Sequence, residues 1–467
     1  MIPERAQWLT EGVVADLAER FSNLGHELYL VGGSVRDLLL GRDEVDLDFT
    51  TDARPADIKK ALKGLADSVF TVGEEYGTIG ANVGGHLYEV TTFRSDVYVE
   101  DSRKPSVEFG DSIQADLARR DFTVNAMALR LDDGAPELID LHGGTADIAG
   151  RHLRTPLGPE VSFSEDPLRM LRLFRFVSLL GFTAGREELL AVRDMAERIR
   201  IVSAERIRDE LSKLLIGEHV AAALELLVET GLAGEFLPEI PALAMEQDPY
   251  HRHKDVLAHS IAVTAKTQPD LILRLAALLH DIGKPDTRSF GVNGVAFHHH
   301  EVVGARMARK RLIALRYPKD VVRDVGNLVF LHMRPHTFKM GWTDSAVRRY
   351  VRDAGPLLDK LNELVRCDVT TRNEKRAHQI HARINELEER IVQLRAQEEL
   401  DALRAPIDGN DVMRYLGVSP GPVVGTVMKM LVEHRIERGP YHPEEAYELI
   451  REWAIDEGMD DPGASAG

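Results

Sequence analysis

Asp46 and Asp48 are separated by a single residue, in a segment, 45–50, that alternates polar with apolar residues. This alternation predicts a half-buried strand, on which residues i and i+2 point to the same face. Two neighbouring carboxylates repel each other unless a cation lies between them, so this pair can hold Mg²⁺. Ions held in this way bridge triphosphate oxygens and activate an attacking hydroxyl. The pair therefore predicts metal-dependent chemistry on a phosphorylated substrate.

A glycine turn precedes this strand in the sequence. An apolar run stops at Gly32 and Gly33, and Ser34 is expected to cap a short helix. Glycine allows the backbone to approach a phosphate closely, and the first turn of a helix offers free N–H groups. Arg36 lies one turn inside the helix, where its guanidinium can meet triphosphate charge. Gly33 and Arg36 are therefore predicted to bind the triphosphate.

Each of these two patterns is common by itself, but their order and proximity resemble the nucleotidyltransferase motif of the DNA polymerase β superfamily. The longer match, 31–41 followed by 46–51, is similar to the bacterial-type (class II) tRNA nucleotidyltransferase and poly(A) polymerase family. The resemblance implies Asp46 and Asp48 as catalytic ligands of Mg²⁺. It also implies template-independent transfer of CMP and AMP from CTP and ATP to the 3′ end of tRNA, with release of pyrophosphate. Glu89 is the candidate for a third acidic ligand, and an ordinary exposed strand residue is the alternative.

Two cations and a carboxylate adjoin at Arg119, Arg120 and Asp121. From the residues alone, a structural salt bridge is as good an interpretation as a binding site. The run 119–126 also resembles the family's Arg-Arg-Asp-Phe-Thr-x-Asn-Ala motif. This resemblance implies that Arg120 binds the incoming nucleotide, while Asp121 and Asn125 shape the pocket around its sugar and phosphates.

Asp166 precedes a proline at the start of a predicted helix, and capping of that helix is one interpretation. Arg169 follows one turn later, so the two side chains can meet. Their acceptors and donors can complement cytosine or adenine, whereas guanine and uracil offer reversed patterns. The segment resembles the family's Glu-Asp-x-x-Arg motif, in which the protein itself acts as template. Arg172 and Arg175, further along the helix, are suited to phosphates.

A histidine-rich region extends from about residue 249 to residue 371. A single helical histidine is more often a packed core residue than a ligand, but an ordered set of imidazoles and carboxylates suits a divalent transition metal or Mg²⁺. The candidate metal ligands are His259, His280, Asp281, His300 and Asp368. This set resembles the HD phosphohydrolase superfamily, in which such domains hydrolyse phosphomonoesters or cyclic phosphodiesters, and support of RNA binding alone is the alternative. His332 matches a further position of that superfamily less closely.

The patterns around these motifs predict an α+β fold. Short strand-like runs and turns make up a polymerase-β-like nucleotidyltransferase head with a mixed sheet and helices, and the helical signal takes over from about Phe163. All-α neck, HD and tail domains follow. The expected division is a head at 1–150, a neck at 151–245, an HD domain at 246–400, a tail module at 401–455 and a disordered tail at 456–467.

Composition limits the classes of protein further. A chain of 467 residues is too long for one compact core. No run reaches the roughly 18 apolar residues of a membrane span, and the N-terminus lacks the features of a signal peptide. The single cysteine excludes an intrachain disulfide framework and fits a reducing cytoplasm. We therefore expect a cytoplasmic protein without a membrane partner.

The net charge of −18 argues against broad, nonspecific binding of nucleic acid, so an RNA enzyme must concentrate its arginines locally. Several functions remain open at this point. A poly(A) polymerase and an enzyme limited to C or A addition can use the same fold. An HD phosphohydrolase with a nucleotide-binding head is a hypothesis of another class. A non-catalytic RNA-binding protein fits less well, because the arginines lie among carboxylates rather than in a continuous basic patch.

Overall fold

The computed structural model describes residues 8–42, 47–97, 106–110, 112–131, 135–245, 255–291, 294–335, 342–369, 374–398 and 403–462. The chain divides into two compact units. The first runs to Pro241 and includes Ala314–Tyr317, and the second comprises the remainder from Ala242. Among the described residues, no helix combines the length and the apolar character that crossing a membrane requires.

A mixed sheet of seven strands forms the centre of the head, in the order β3-β4-β5-β2-β1-β8-β9. β2 and β5 pair in parallel, while β1 is antiparallel to both β2 and β8. β6 and β7 form a separate antiparallel pair. The head strands are β1 (Leu28–Val31), β2 (Leu47–Thr51), β3 (Ser68–Phe70), β4 (Thr78–Val83), β5 (His86–Thr92), β6 (Arg94–Val97), β7 (Ser106–Phe109), β8 (Met127–Leu131) and β9 (Glu137–Asp140).

The two faces of this sheet are covered differently. Because side chains alternate along a strand, Leu30, Phe49 and Val90 join one apolar core with helices α1, α2 and α3. On the opposite face, Tyr29 and Val31 join a smaller cluster with α4, which packs over the β1–β8 side. The head helices are α1 (Gly12–Asn23), α2 (Gly33–Leu39), α3 (Pro55–Leu62), α4 (Ile113–Ala118) and α5 (Gly144–Gly150).

Helices dominate the rest of the first unit. Almost every residue of α7 is buried, including two of its three arginines, and α7 packs against α9 and α10. Gly181, with a φ of 66°, ends α7. The elements are β10 (His152–Leu153), α6 (Pro159–Glu165), α7 (Leu168–Leu180), β11 (Thr183–Ala184), α8 (Arg186–Met195), α9 (Ala204–Leu215), α10 (Val220–Glu229) and α11 (Leu232–Phe236).

The second unit is built around the buried helix α13, which packs against α12, α16 and α18. Near the C-terminus, Val427, Leu431 and Ile450 belong to a separate apolar cluster. The elements are α12 (Val256–Lys266), α13 (Leu271–Leu279), α14 (Lys284–Thr287), β12 (Arg288–Gly291), β13 (Gly294–Phe297), α15 (His300–Ala314), α16 (Lys319–Leu331), α17 (Asp344–Ala354), α18 (Leu358–Cys367), α19 (Glu374–Glu398), α20 (Gly409–Leu416), α21 (Pro422–Arg438) and α22 (Pro443–Asp456).

This architecture confirms the predicted α+β class, with a mixed-sheet head followed by helices. Two short strand pairs, β10–β11 and β12–β13, interrupt the part that was expected to be entirely helical. The finer division into neck, HD and tail domains stays a prediction. Within the expected disordered tail, Asp461 accepts hydrogen bonds from Arg451 at 2.6 and 2.8 Å, and 463–467 lie outside the described residues.

Candidate active site

Asp48 and Glu89 lie side by side on neighbouring strands of the head sheet. The parallel pairing of β2 with β5 places these two residues in register. The residues that follow them, Phe49 and Val90, are buried in the core, so the two carboxylates share the opposite face. Paired strands are about 4.8 Å apart, a spacing at which two carboxylates can share one divalent cation. Asp46, predicted as the second catalytic aspartate, lies outside the described residues.

The glycine turn is tied directly to the carboxylate strand. α2 begins at Gly33, and Ser34 does not cap it as expected. Instead, the Ser34 hydroxyl accepts a hydrogen bond from the backbone N–H of Asp48 at 3.1 Å. Gly32 has a φ of 70°, and a Cβ atom there would lie only 2.8 Å from Nη1 of Arg120. Glycine is therefore required both by the backbone conformation and by the approach of this guanidinium.

Arg36 connects the glycine turn to the predicted nucleotide-binding motif. Its Nη1 donates to Oδ1 of Asn125 at 2.6 Å, and its Nη2 donates to Asp37 at 2.6 Å. Asn125 in turn donates from Nδ2 to Oδ1 of Asp121 at 2.9 Å. Three of the predicted binding residues thus form one hydrogen-bonded chain.

Asp121 continues this chain to the arginines of α7. Nη2 of Arg172 donates to its Oδ2 at 2.5 Å, and Nη1 of Arg172 lies 3.3 Å from Glu210. Arg175 pairs with the same glutamate at 2.9 Å. Burial alone would raise the pKa of Asp121, but Arg172 and Asn125 hold it well below its usual range. Burial, reinforced by Arg172, lowers the pKa of Arg175 to about 10.

Asp116 is a buried carboxylate of the site that was not among the residues predicted from the sequence. It is fully buried and pairs with Arg119 at 2.6 Å and with Arg120 at 2.9 Å. Burial opposes its ionisation, but the two guanidiniums keep its pKa below the usual value. The signal was present in the sequence, because residues three and four apart share one face of a helix.

The structure does not bring together the side chains of Asp166 and Arg169. Asp166 has an extended backbone before α7, and the N–H of Arg169 donates to its backbone carbonyl at 3.0 Å. Its Oδ1 accepts from the N–H of Leu168 at 3.1 Å, and its Oδ2 accepts from Arg206 at 2.7 Å. Arg169 instead donates to Glu165 at 3.0 Å. The predicted contact is therefore replaced by two separate pairs, and base reading by these residues stays a prediction.

The second unit contains a compact cluster of imidazoles and carboxylates. Nε2 of His259 lies 2.9 Å from Asp368 and 3.3 Å from Nε2 of His280. Nε2 of His280 lies 3.2 Å from Asp281, which also pairs with Lys284 at 2.5 Å. These distances bring together four of the five predicted HD ligands.

His300 and His332 complete the cluster on the other side of Asp281. One potential ligand atom from each of these three residues lies within 4.8 Å of the others, and the same holds for His259, His280 and Asp368. In three of the histidines, Nδ1 faces a backbone carbonyl, which fixes the ring and directs Nε2 into the cluster. These histidines are His280, His300 and His332.

A metal ion fits this set of donors. Nε2 of His300 and of His332 are buried without a hydrogen-bond partner among the described residues, and a buried polar atom normally has one. Burial and the neighbouring His280 lower the pKa of His332 to about 3, so its imidazole is neutral, as a ligand must be. Imidazole and carboxylate ligands together suit divalent transition metals.

Comparison with protein families accounts for most of the chain. Residues 28–154 match the family described as Poly A polymerase head domain. Residues 181–243 match a probable RNA and SrmB binding site of polymerase A, and residues 256–394 match the HD domain. The carboxylate strand and the histidine cluster therefore lie in segments with two different family matches.

Relatives of similar length match nearly the whole chain. An A-adding tRNA nucleotidyltransferase from Deinococcus radiodurans is 34% identical over 441 residues, covering 91% of this chain and 95% of that protein. A CCA-adding enzyme from Anoxybacillus flavithermus is 31% identical, covering 94% and 95%. The crystal structure of the Bacillus stearothermophilus CCA-adding enzyme in complex with CTP has a TM-score of 0.69 at 26% identity, covering 96% of this chain and 98% of that one. This chain therefore belongs to the tRNA nucleotidyltransferase and poly(A) polymerase family, as a nucleotidyltransferase whose head domain is followed by an HD domain.

Proposed function

We propose that this enzyme adds CMP and AMP from CTP and ATP to the 3′ end of tRNA in the cytoplasm, without a template and with release of pyrophosphate. The observation that carries the proposal is the register of Asp48 with Glu89 next to the glycine turn. This arrangement places acidic groups for a metal beside backbone and guanidinium donors for a triphosphate.

Asp46, Asp48 and Glu89 would hold Mg²⁺ in the head. When bound, this ion neutralises triphosphate charge and lowers the pKa of an attacking hydroxyl. The chain's own residues orient the reactants. Arg120 lies against Gly32, at the turn where the triphosphate would bind, and its guanidinium is oriented by the buried Asp116.

The α7 segment would select the nucleotide. Asp166 is an acceptor held by Arg206, and Arg169 is a donor held by Glu165 and by the backbone carbonyl of Arg119 at 2.5 Å. Held in this way, Asp166 can offer an acceptor to a cytosine or adenine edge and Arg169 its remaining N–H donors, without the two side chains contacting each other. Arg172 and Arg175 are occupied by Asp121 and Glu210, so we assign them to positioning of the site rather than to direct phosphate contact.

The incorporation assay tests this proposal. A tRNA transcript that lacks its terminal CCA is incubated with labelled CTP, with labelled ATP, and with both. Two C residues with CTP alone, followed by one A when ATP is added, are expected. The related protein from Deinococcus radiodurans is named for A addition and that from Anoxybacillus flavithermus for CCA addition, so the transcript ending in CC is the decisive second substrate. Incorporation confined to that transcript would replace the CCA proposal by A addition, and long A tails would indicate a poly(A) polymerase.

A metal-dependent phosphohydrolase is the second function that an observation favours. The convergence of six imidazoles and carboxylates supports it, because Nε2 of two of these imidazoles has no hydrogen-bond partner in the described part of the chain. RNA oligonucleotides with a terminal phosphate or a 2′,3′-cyclic phosphate would be incubated with the enzyme and Ni²⁺, Mn²⁺ or Mg²⁺. Product formation that disappears in Asp281→Ala, and persists in the exposed control Asp286→Ala, is expected. Metal binding without turnover would leave the cluster a structural centre.

A further inference from the structure

An exposed aromatic ring lies on the sheet face that carries the carboxylates, at the edge of the sheet away from α4. Phe70 is on the edge strand β3 and pairs in register with Gly80 on β4. A Cβ atom at Gly80 would lie 3.6 Å from Cβ of Phe70 and 3.7 Å from one of its ring carbons. The side chain therefore leans over a position without a side chain, and 48% of the residue remains exposed.

The pairing of the strands places this ring in line with the carboxylates. Gly80 is in register with Glu89, and Glu89 is in register with Asp48. At about 4.8 Å for each strand, Phe70 is roughly 10 Å from Glu89 and 14 Å from Asp48 along the sheet. Leu87 precedes Glu89 by two residues, so it shares this face, and it is 56% exposed.

These apolar groups contrast with the other half of the same face. There, Tyr29 and Val31 are buried together with residues of α4. Phe70 and Leu87 remain largely exposed, although exposure of a large aromatic group to water is unfavourable. An apolar surface beside a reaction centre is typical of a binding site whose ligand covers it.

We propose that Phe70 is a stacking platform for the single-stranded nucleotides that precede the 3′ end of the RNA acceptor. This proposal rests on the proposed function, which places the attacking 3′-hydroxyl at the carboxylates. Phe70, roughly 10 Å from Glu89 along the sheet, is then within reach of the nucleotides that precede this hydroxyl. Stacking on an aromatic ring tolerates any base and needs no positive charge. It therefore suits a chain whose net charge of −18 weakens general attraction of phosphates.

Steady-state kinetics of three variants test the platform. Phe70→Leu keeps an apolar side chain over Gly80 but removes the aromatic face, and Phe70→Trp retains the aromatic face. Phe70→Leu should raise KM for tRNA about 10-fold while KM for CTP stays unchanged, and Phe70→Trp should remain within about twofold of the original enzyme. Val69→Ala is the matched control, because Val69 is on the same strand, is 41% exposed and pairs with the core residue Ala81.

If Phe70→Leu had the same KM for tRNA as the original enzyme, the platform would be overturned, since leucine would then serve as well as an aromatic ring. A raised KM for CTP instead would assign the ring to the incoming nucleotide, and loss of a dimer in sedimentation would assign it to a second copy of the chain. Either result would also overturn the proposal.

A binding measurement separates this proposal from the proposed catalytic function. Phe70→Trp combined with Asp48→Ala is titrated with an RNA duplex that has a single-stranded 3′ end, and tryptophan fluorescence is followed. With this duplex, we expect more quenching than in Asp48→Ala alone, which contains only the three native tryptophans. With a blunt duplex, we expect no additional quenching. If the enzyme incorporates no nucleotide, this quenching still supports the platform, whereas equal signals from both duplexes contradict it.

Discussion

On the head sheet, Glu89 is exposed and its neighbour Asp48 is half-buried. His280 and Asp281, by contrast, are buried among other potential metal ligands inside a helical unit. In the described part of the head, Asp48 and Glu89 offer oxygen ligands from neighbouring strands. The HD cluster combines imidazole nitrogens with carboxylates, and backbone carbonyls orient its rings.

This difference indicates when each centre acquires its metal. Mg²⁺ retains several water molecules and is usually bound by one or two carboxylates together with the phosphates of a substrate. The open carboxylate face therefore suits an ion that binds with the triphosphate. A buried set of imidazoles and carboxylates suits an ion that the protein holds by itself. We expect metal binding to depend on nucleotide in the head and to be independent of nucleotide in the HD cluster.

Removal of the head carboxylate should have the largest effect. Asp48→Ala is expected to lower nucleotide incorporation at least about 1000-fold, because a metal ion contributes several kcal/mol to stabilisation of the transition state. Metal bound by the HD cluster, measured by calorimetry without nucleotide, should not change. Glu89→Gln should reduce kcat less than Asp48→Ala does. Retention of incorporation in Asp48→Ala would disprove the head metal site.

Removal of a shared carboxylate from the HD cluster should have the next largest effect. Asp281 contacts His280, His300 and Lys284, so Asp281→Ala is expected to weaken binding of Ni²⁺ or Mn²⁺ roughly 100-fold or more. Titration calorimetry measures the affinity, with Asp286→Ala as the exposed control. Equal affinities in the two variants would show that Asp281 is not a metal ligand, and absence of metal binding in the original enzyme would remove the comparison with the head.

The ion-pair chain behind the head site should contribute stability rather than chemistry. Asp121→Asn leaves the mostly buried Arg172 with only the more distant Glu210 as an anionic partner and should lower the free energy of unfolding by about 2 kcal/mol at pH 7. Because folding lowers the pKa of Asp121, its contribution is complete above the ordinary aspartate value of about 3.9 and is lost as pH falls toward the folded value.

The difference in urea midpoint between Asp121→Asn and the original chain should therefore be constant from pH 5 to pH 8 and should narrow below about pH 4. Asp209→Asn is the control, since Asp209 is exposed and its loss should change the free energy of unfolding by less than about 0.5 kcal/mol. A difference that widened in acid would contradict the assigned direction.

The smallest effect is expected at the pair between Arg206 and Asp166. Arg206 is 54% exposed, and such pairs contribute at most about 1 kcal/mol. Arg206→Ala should therefore raise KM for CTP and ATP by up to about fivefold. The KM values of Arg206→Lys should lie between those of the original enzyme and those of Arg206→Ala. A change confined to thermal stability, with both KM values unchanged, would show that Arg206 does not position Asp166.

Much of the head could be predicted because its signals are local. Alternation along β2, the glycines before α2 and the apolar runs of β4 and β5 each depend on a few consecutive residues. The role of Glu89 as a metal ligand stays a prediction, and its position beside Asp48 agrees with that role.

Contacts between distant segments could not be predicted in the same way. Glu210 contacts Arg172 and Arg175 only because α7 packs against α9, and nothing near Glu210 in the sequence indicates this. The start of α7 is a second case, because the helix begins one residue later than expected and the Asp166 side chain pairs with Arg206 on α9 rather than with Arg169. Packing of helices, rather than propensity, decided both outcomes.

The parallel pairing of β2 with β5 has a consequence for folding kinetics. Parallel neighbours cannot be joined by a tight turn, and here α3, β3 and β4 lie between them in the sequence. Strand pairs of this kind form slowly, because the entropy of closing the intervening loop must be lost before the contacts are gained. The Asp48–Glu89 pair therefore exists only once the crossover is complete, so a head arrested early in folding has no such pair with which to bind metal or nucleotide.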